Sequence, residues 1–537
     1  MNLLRDAATV GGMTMVSRVL GFARDALIAS ILGTGPAADA FVVAFRFPNL
    51  FRRFFAEGAF NSAFVPLYAK RLEGEGRQNA HVFASEAFSG LISVLLIFTL
   101  IALLAMPWIM VGMAGGFLLV EGESFELGLI LSRLGNPDGR EKYDLAVDFT
   151  RIALPYLLFV SLVALLSGIL NSLGRFFLSA AAPILLNIIL VAVLVFIAPY
   201  TAEPGRALVW GVFVGGAVQF AALAWGCMRI GVMPSLRMPR LTPNMKRLIV
   251  LGVPGIIAAG ITQINLVIGT FIASFEQSAV AILFYADRLY QLPLGLVGVA
   301  MGVVLLPDLS RRLRAGDEAS AITSQNRAIE ISLLLTLPAA FALIVIPVPV
   351  ISALFEHGEF TSSDTHNTAA ALAVFACGLP AFVLIKVFSP GFFAREDTRT
   401  PMIFAAINAF VNITLSVVLF FRIGLVGIAI GTSTAAWVNT ILLASRLWQL
   451  GHFVPDRRVR SRLPRILLAS IAMAAVLWAL TGELQSLLDG TKWQRIGALG
   501  VLVTIGGFVF AVFVQLAGGA RISELIDALR GDKTQSS

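Results

Sequence analysis

The stretch FLSAAAPILLNIILVAVLVFIAP, from Phe177 to Pro199, runs without one charged side chain. A helix needs about 20 mostly apolar residues to cross the hydrocarbon core of a bilayer. Lipid offers no partner to backbone N–H and C=O groups, so such a stretch must satisfy them internally, as a helix does. Working outward, comparable stretches recur along the whole chain of 537 residues, of which 58% are apolar and 13% charged, with a mean hydropathy of +0.86. That composition excludes a soluble globular class. Fourteen spans are expected, over roughly 8–32, 37–69, 82–113, 147–171, 177–199, 207–228, 248–273, 278–307, 328–355, 367–394, 401–421, 425–448, 466–485 and 494–518. The expected fold is therefore all-α and polytopic. Met1 to Phe22 lacks the apolar core and small-residue cleavage site of a signal peptide, and reads as mature structure.

A formal charge of +8 would suggest nucleic acid in a soluble protein, but here the basic residues sit mostly in short loops, so no nucleic-acid partner is expected. Placing the N-terminus in the cytoplasm puts most of the 40 Lys and Arg on that side, among them Arg229, Arg237, Arg240, Lys246, Arg247, Arg457, Arg458, Arg460 and Arg462. The outer loop then carries Glu121, Glu123, Glu126, Asp138 and Asp144, and both termini are cytoplasmic. The tail from Ala520 to Arg530 alternates apolar and charged residues, as a surface helix or a solvated segment would. Ile28-Ala29-Ser30 with Pro48 in the next span is echoed by Ile272-Ala273-Ser274 with Pro293. An even number of spans lies between the copies, so they share orientation. The expected plan is an N-terminal lobe of helices 1–6 (residues 1–247), a C-terminal lobe of helices 7–12 (residues 248–450), and a last helix pair with a cytoplasmic tail (residues 451–537). The two parallel six-helix lobes would enclose a central cavity. Gly298 with Gly302, and Gly427 with Gly431, are small-xxx-small pairs that permit close helix contact.

A charge at mid-bilayer costs about 2.5–3.5 kcal/mol on insertion scales, so it normally faces a partner or a watery cavity. In the first span Thr14, Arg18, Gly21 and Asp25 share one helical face, with Ser17 and Arg24 beside it. In the second, Asp39, Arg46, Arg53 and Glu57 share a face, while Arg52 points elsewhere unless a kink at Pro48 redirects it. Asp287 and Arg288 precede Pro293, and Lys386 is the lone charge of a span that holds Pro380 and Pro390. Arg151 can snorkel to the interface. The cations Arg18, Arg24, Arg46, Arg52, Arg53, Arg288 and Lys386 outnumber the acids Asp25, Asp39, Glu57 and Asp287. A surplus of arginine suits phosphate, because the planar guanidinium donates two hydrogen bonds and keeps its charge when desolvated. A diphosphate with a lipid tail fits that surplus. The competing reading is structural ion pairing, Arg24 with Asp25 or Arg53 with Glu57.

No GxxxxGK[ST] loop occurs, and the soluble segments are too short for a nucleotide-binding domain. His81, His357, His366 and His452 lie in or near loops without an acid cluster at metal spacing. Cys227 and Cys377 fall inside apolar runs and read as packing residues. No catalytic residue, metal or cofactor is expected, and the chain does not read as an enzyme. Gln263, Asn265, Asn408, Asn412 and Thr432 offer neutral oxygens to a cation, but packing is the favoured role.

Ser17-Arg-Val-Leu-Gly-Phe-Ala-Arg-Asp25, Asp39-Ala-Phe41, Phe47-Pro-Asn-Leu-Phe-Arg-Arg53 and Phe55-Ala-Glu-Gly-Ala-Phe60 closely resemble the MurJ (MviN) family. So do Tyr285-Ala-Asp-Arg-Leu289, Leu306-Pro307 and Lys386-Val-Phe-Ser-Pro-Gly-Phe392, so the resemblance covers most of the chain. It implies a flippase of the multidrug/oligosaccharidyl-lipid/polysaccharide (MOP) exporter superfamily in the bacterial inner membrane, working by alternating access. The implied cargo is lipid II, the undecaprenyl-diphosphate-linked peptidoglycan precursor, and the implied partners are membrane lipids and the cell-wall synthesis machinery. Carried over residue by residue, it makes Arg18, Arg24, Asp39, Arg52, Arg53, Arg288 and Lys386 substrate-binding positions. Asp25 and Glu57, with Asp287, are then gate or ion-pair residues. Coupling to membrane potential or to a monovalent cation stays open. The segment from Gly115 to Asp148 is longer and more acidic than the corresponding family loop. Rival functions are a flippase for another polyprenyl-linked glycan, a MOP-type drug exporter, and a glycan polymerase or scaffold that holds the same lipid; an exporter of cationic drugs should prefer acids to this surplus of arginine.

Overall fold

The computed structural model describes residues 3–52, 59–119, 127–133 and 140–519, side chains excepted at 3–8, 59–62, 127, 131, 254–259, 261–262, 296 and 298–304. Arg53, Glu57, Glu121, Glu123, Glu126, Asp138 and the tail from Ala520 lie outside the described residues, as does the side-chain packing at Gly298 and Gly302. Everything regular among the described residues is helical. Among the described residues ten helices are long and apolar enough to cross a membrane: Gly76–Leu104, Glu141–Ser172, Phe176–Tyr200, Pro204–Arg229, Glu318–Val345, Ser362–Phe393, Arg399–Ile423, Leu425–Gln449, Arg457–Glu483 and Lys492–Leu516. The chain is an all-α, multi-pass membrane protein.

Proline decides where several of the long apolar stretches break. Gly76–Leu104 stops at Ala105, and a new helix, Met106–Ala114, begins with Pro107 in its first turn. Proline is tolerated there because its missing N–H would have had no intrahelical partner. The stretch expected over 328–355 divides for the same reason into Glu318–Val345 and Pro347–Phe355. Of the stretch expected over 37–69, the described residues form Pro36–Arg52, with Pro48 inside it, and Ala59–Gly74, with Pro66 inside it. Caps fix the starts of helices in polar surroundings, where four N–H groups would otherwise lack partners. Asp456 accepts from the Val459 N–H at 2.7 Å and Asp317 from the Ser320 N–H at 3.0 Å. Thr361 with Asp364, and Thr491 with Gln494, form reciprocal capping boxes.

Contacts divide the chain into two compact units, Met1–Ala281 with Gly358–Phe360, and Ile282–His357 with Thr361–Ser537. Glu141–Ser172 in the first unit and Ser362–Phe393 in the second each bury 67% of their most apolar window, against 17% for Arg399–Ile423 and Lys492–Leu516. Apolar side chains left on the outside of such helices face lipid rather than water. All seven tryptophans are more than a third exposed, at positions 108, 210, 225, 437, 448, 478 and 493.

In the second unit, Gly427 and Gly431 let Leu425–Gln449 press against Arg399–Ile423. A Cβ on Gly427 would stand 2.6 Å from the Leu419 carbonyl carbon, and one on Gly431 would stand 2.9 Å from the Ser416 nitrogen. The close approach brings Thr432 Oγ1 and Ser416 Oγ each to 3.2 Å from Asn412 Oδ1, and Asn408 Nδ2 to 2.9 Å from the Ala435 carbonyl oxygen. These polar side chains thus serve helix packing. Gly427→Ala is expected to destabilise the protein by about 1–3 kcal/mol. Gly482→Ala, with nothing within 4 Å of its Cβ, should leave thermal unfolding in detergent unchanged.

Candidate functional site

The charged stripe of the first helix, Leu3–Leu32, meets the helix Phe176–Phe196. Arg24 is 8% exposed; its Nε and Nη2 donate to Asp25 Oδ1 at 2.9 and 2.6 Å, and its Nη1 donates to Asn187 Oδ1 at 2.9 Å. Asn187 is fixed in turn by donating to the Ser17 carbonyl at 3.0 Å. Burying an ion pair is tolerable only when further hydrogen bonds satisfy its remaining donors, and Asn187 supplies one. The ring of Phe45 lies 5.8 Å from the Arg24 guanidinium carbon. Arg18, two turns earlier and half-buried, has no hydrogen-bond or ion-pair partner among the described residues.

Asp39 sits in the first turn of Pro36–Arg52 and is fully buried. One carboxylate oxygen accepts the Ala281 N–H at 2.7 Å, and the carboxylate also meets the Ser278 N–H. The other oxygen forms an ion pair with Lys142, whose ammonium stands 4.2 Å from the centroid of the Phe117 ring. Asp39 is thus fastened within the protein. Further along the same helix, Arg46 donates to Thr270 Oγ1 at 2.8 Å and Arg52 Nε to Asn49 Oδ1 at 3.0 Å.

In the second unit, Asp287 accepts from Gln291 and is hydrogen-bonded to the Tyr290 phenol. The Arg288 guanidinium lies 4.6 Å from the centroid of Phe284. Lys386 is exposed on Ser362–Phe393 and has no hydrogen-bond or ion-pair partner among the described residues. Of the sequence-predicted set, the described contacts join Arg24 to Asp25 and leave Arg18 and Lys386 open. Arg53 and Glu57 lie outside the described residues.

Three partners escaped the sequence reading. Asn187 was visible as a polar side chain in an otherwise apolar stretch, which is the signal that could have found it. Lys142 was masked by the acids around it. Glu330, 5% exposed, gathers Arg327, Arg458 and Arg462, the last at 2.5 Å, and Asp456 takes a second contact from Arg327. This node ties Glu318–Val345 to Arg457–Glu483 through Arg458 and Arg462, read from sequence only as an orientation signal. No cluster of three or more His, Cys, Asp or Glu suited to a metal occurs among the described residues.

The profile of the family described as "Lipid II flippase MurJ" matches residues 28–489. A protein of Rhizobium meliloti (strain 1021) named "Probable lipid II flippase MurJ" is 46% identical, covering 100% of this chain and 98% of its own length. A solved structure described as "Lipid II flippase MurJ, inward closed conformation" superposes with a TM-score of 0.75 at 26% identity, covering 94% of this chain and 98% of that one. An inward-facing multidrug resistance MATE family transporter of the MOP superfamily reaches 0.67 at 16% identity over 83% of this chain and 99% of its own, which shows a shared fold.

Asn187→Leu should leave one Arg24 donor unsatisfied at a cost of about 1–3 kcal/mol. Thermal unfolding in detergent is expected to show that loss, and Asn187→Gln, which keeps both the acceptor for Arg24 and an amide donor, should recover part of it.

Proposed function

We propose, from the premise that the chain belongs to the lipid II flippase MurJ family, that it carries lipid II from the cytoplasmic to the periplasmic leaflet by alternating access. The observation that carries the proposal is the surplus of cations over acids that the sequence places on these helices, with Arg18 and Lys386 without a partner among the described residues. The undecaprenyl tail stays in lipid while Arg18, Arg24, Arg52, Arg53, Arg288 and Lys386 meet the diphosphate. The sugar and peptide remain hydrated. Arg24 is engaged with Asp25 and Asn187, so binding through Arg24 exchanges that pair for the phosphate. Asp39 acts as a tether, and Asp25, Glu57 and Asp287 re-pair with cations as the two sides open in turn. No covalent step is required.

The fold reading that goes with this function has fourteen crossings. Besides the ten apolar helices, Leu3–Leu32, the pair Pro36–Arg52 and Ala59–Gly74, Pro243–Ala273, and Ala279–Arg314 complete the set. The first bears Arg18, Arg24 and Asp25, the second Asp39 and Arg52, and the last Asp287 and Arg288, and charge lowers the hydropathy by which a span is recognised. Fourteen crossings return both termini to one side, the cytoplasm by the distribution of Lys and Arg. Residues 1–247 and 248–450 would form the two lobes and 451–537 the appended pair and tail. Each charge moved through 100 mV is worth about 2.3 kcal/mol, enough for membrane potential to help reset an empty cationic carrier. A monovalent cation is the other candidate drive.

Arg288→Ala and Lys386→Ala are each expected to lower translocation about tenfold or more while protein levels stay normal, the loss of one charged hydrogen bond to phosphate. Full transport by both variants overturns the proposal. Depletion of the protein should strand intact precursor on the inner leaflet; precursor accumulating on the outer leaflet would indicate a polymerase instead.

A further inference from the structure

Described residues of the stretch from Gly115 to Asp148 are built onto the tether at Asp39. Gly116 packs backbone to backbone on the turn after Pro243–Ala273, where a Cβ would stand 2.5 Å from the Phe275 nitrogen, and its own N–H donates to Ser274 Oγ at 3.0 Å. Phe117, next in sequence, is buried and lies against the Lys142 ammonium. Lys142 reaches Asp39 from the first turn of Glu141–Ala153, a helix that packs along Pro36–Arg52. Tyr143 anchors the same turn by donating to the Pro107 carbonyl at 2.5 Å. Asp39 in turn holds the backbone at Ser278, which has φ +61°, and at Ala281, in the first turn of Ala279–Arg314.

We infer that Lys142 is a positioning residue for the transport cycle, setting how firmly Asp39 clasps the start of Ala279–Arg314. The N–H groups of a helix's first turn lack intrahelical partners and attract negative charge, so an ionised Asp39 caps this helix from outside. A carboxylate buried that completely stays ionised only if a counter-charge offsets its lost hydration, and Lys142 supplies it. The left-handed Ser278, a conformation L residues adopt reluctantly, is part of what the clasp maintains. Because Lys142 and Asp39 stand on helices packed together, the lysine accompanies the carboxylate when the clasp lets go. It therefore counts most in the closed form, where water is excluded. This rests on the proposed alternating access, with the Asp39 contacts taken to be released when the outer side opens.

The test uses full-length protein in cells, with Cys227 and Cys377 replaced by alanine and a single reporter, Ala281→Cys, whose position is fully buried. A membrane-impermeant maleimide reads its exposure. Lys142→Met should raise labelling about tenfold, Lys142→Arg should stay near the parent, and Asp39→Asn with Lys142→Met should label less than Lys142→Met alone. A second reporter, Ala469→Cys, buried in the other unit, should remain unlabelled throughout. Unchanged labelling in Lys142→Met, or labelling of both reporters together, overturns the inference. Lipid II translocation by the parent chain is measured in the same cells. Failure there overturns the functional reading without altering the labelling result, so the two failures are separable.

Discussion

The structure is organised by the cost of keeping a charge out of water. In a low-dielectric interior an ionised side chain needs an opposite charge and enough hydrogen bonds to occupy its remaining valences. Arg24 meets that demand with Asp25 and Asn187, Asp39 with Lys142 and two backbone N–H groups, and Glu330 with three arginines. Each solution pins one helix to another that is distant in sequence. The charges are therefore joints of the fold.

The same constraint separates two kinds of cation. Arg24 has its needs met by the protein, so any ligand must compete with Asp25 for it. Arg18 and Lys386 have no such internal partner among the described residues, so at the proposed site an anion would meet them without displacing a side chain of the protein. A carrier gains from holding both kinds. Open cations attract an anion, and paired ones supply an exchange of partners that can accompany a change of shape.

How much was legible in the sequence follows from the range of each interaction. The ten apolar helices could be read because hydropathy is local to a window of one span, and the breaks at Pro107 and Pro347 lie where proline removes a donor. The pairing of Arg24 with Asp25 was written in adjacent letters. Its third partner was not, since nothing local says which residue Asn187 faces across 163 positions. Lys142 shows the deeper limit: among Arg140, Glu141 and Asp144 it looks like one more loop charge, and only tertiary packing brings it to Asp39. Arg458 and Arg462 carried a topological signal strong enough to hide their second role on Glu330.

The placement of the tryptophans has an optical consequence. With all seven indoles exposed and none enclosed in a helix core, the intrinsic fluorescence of this protein originates at surfaces that lipid or water touches. Quenchers carried on lipid tails would sort the emitters that acyl chains reach from those they do not. The native fluorophores are thus a gauge of what solvates the helices.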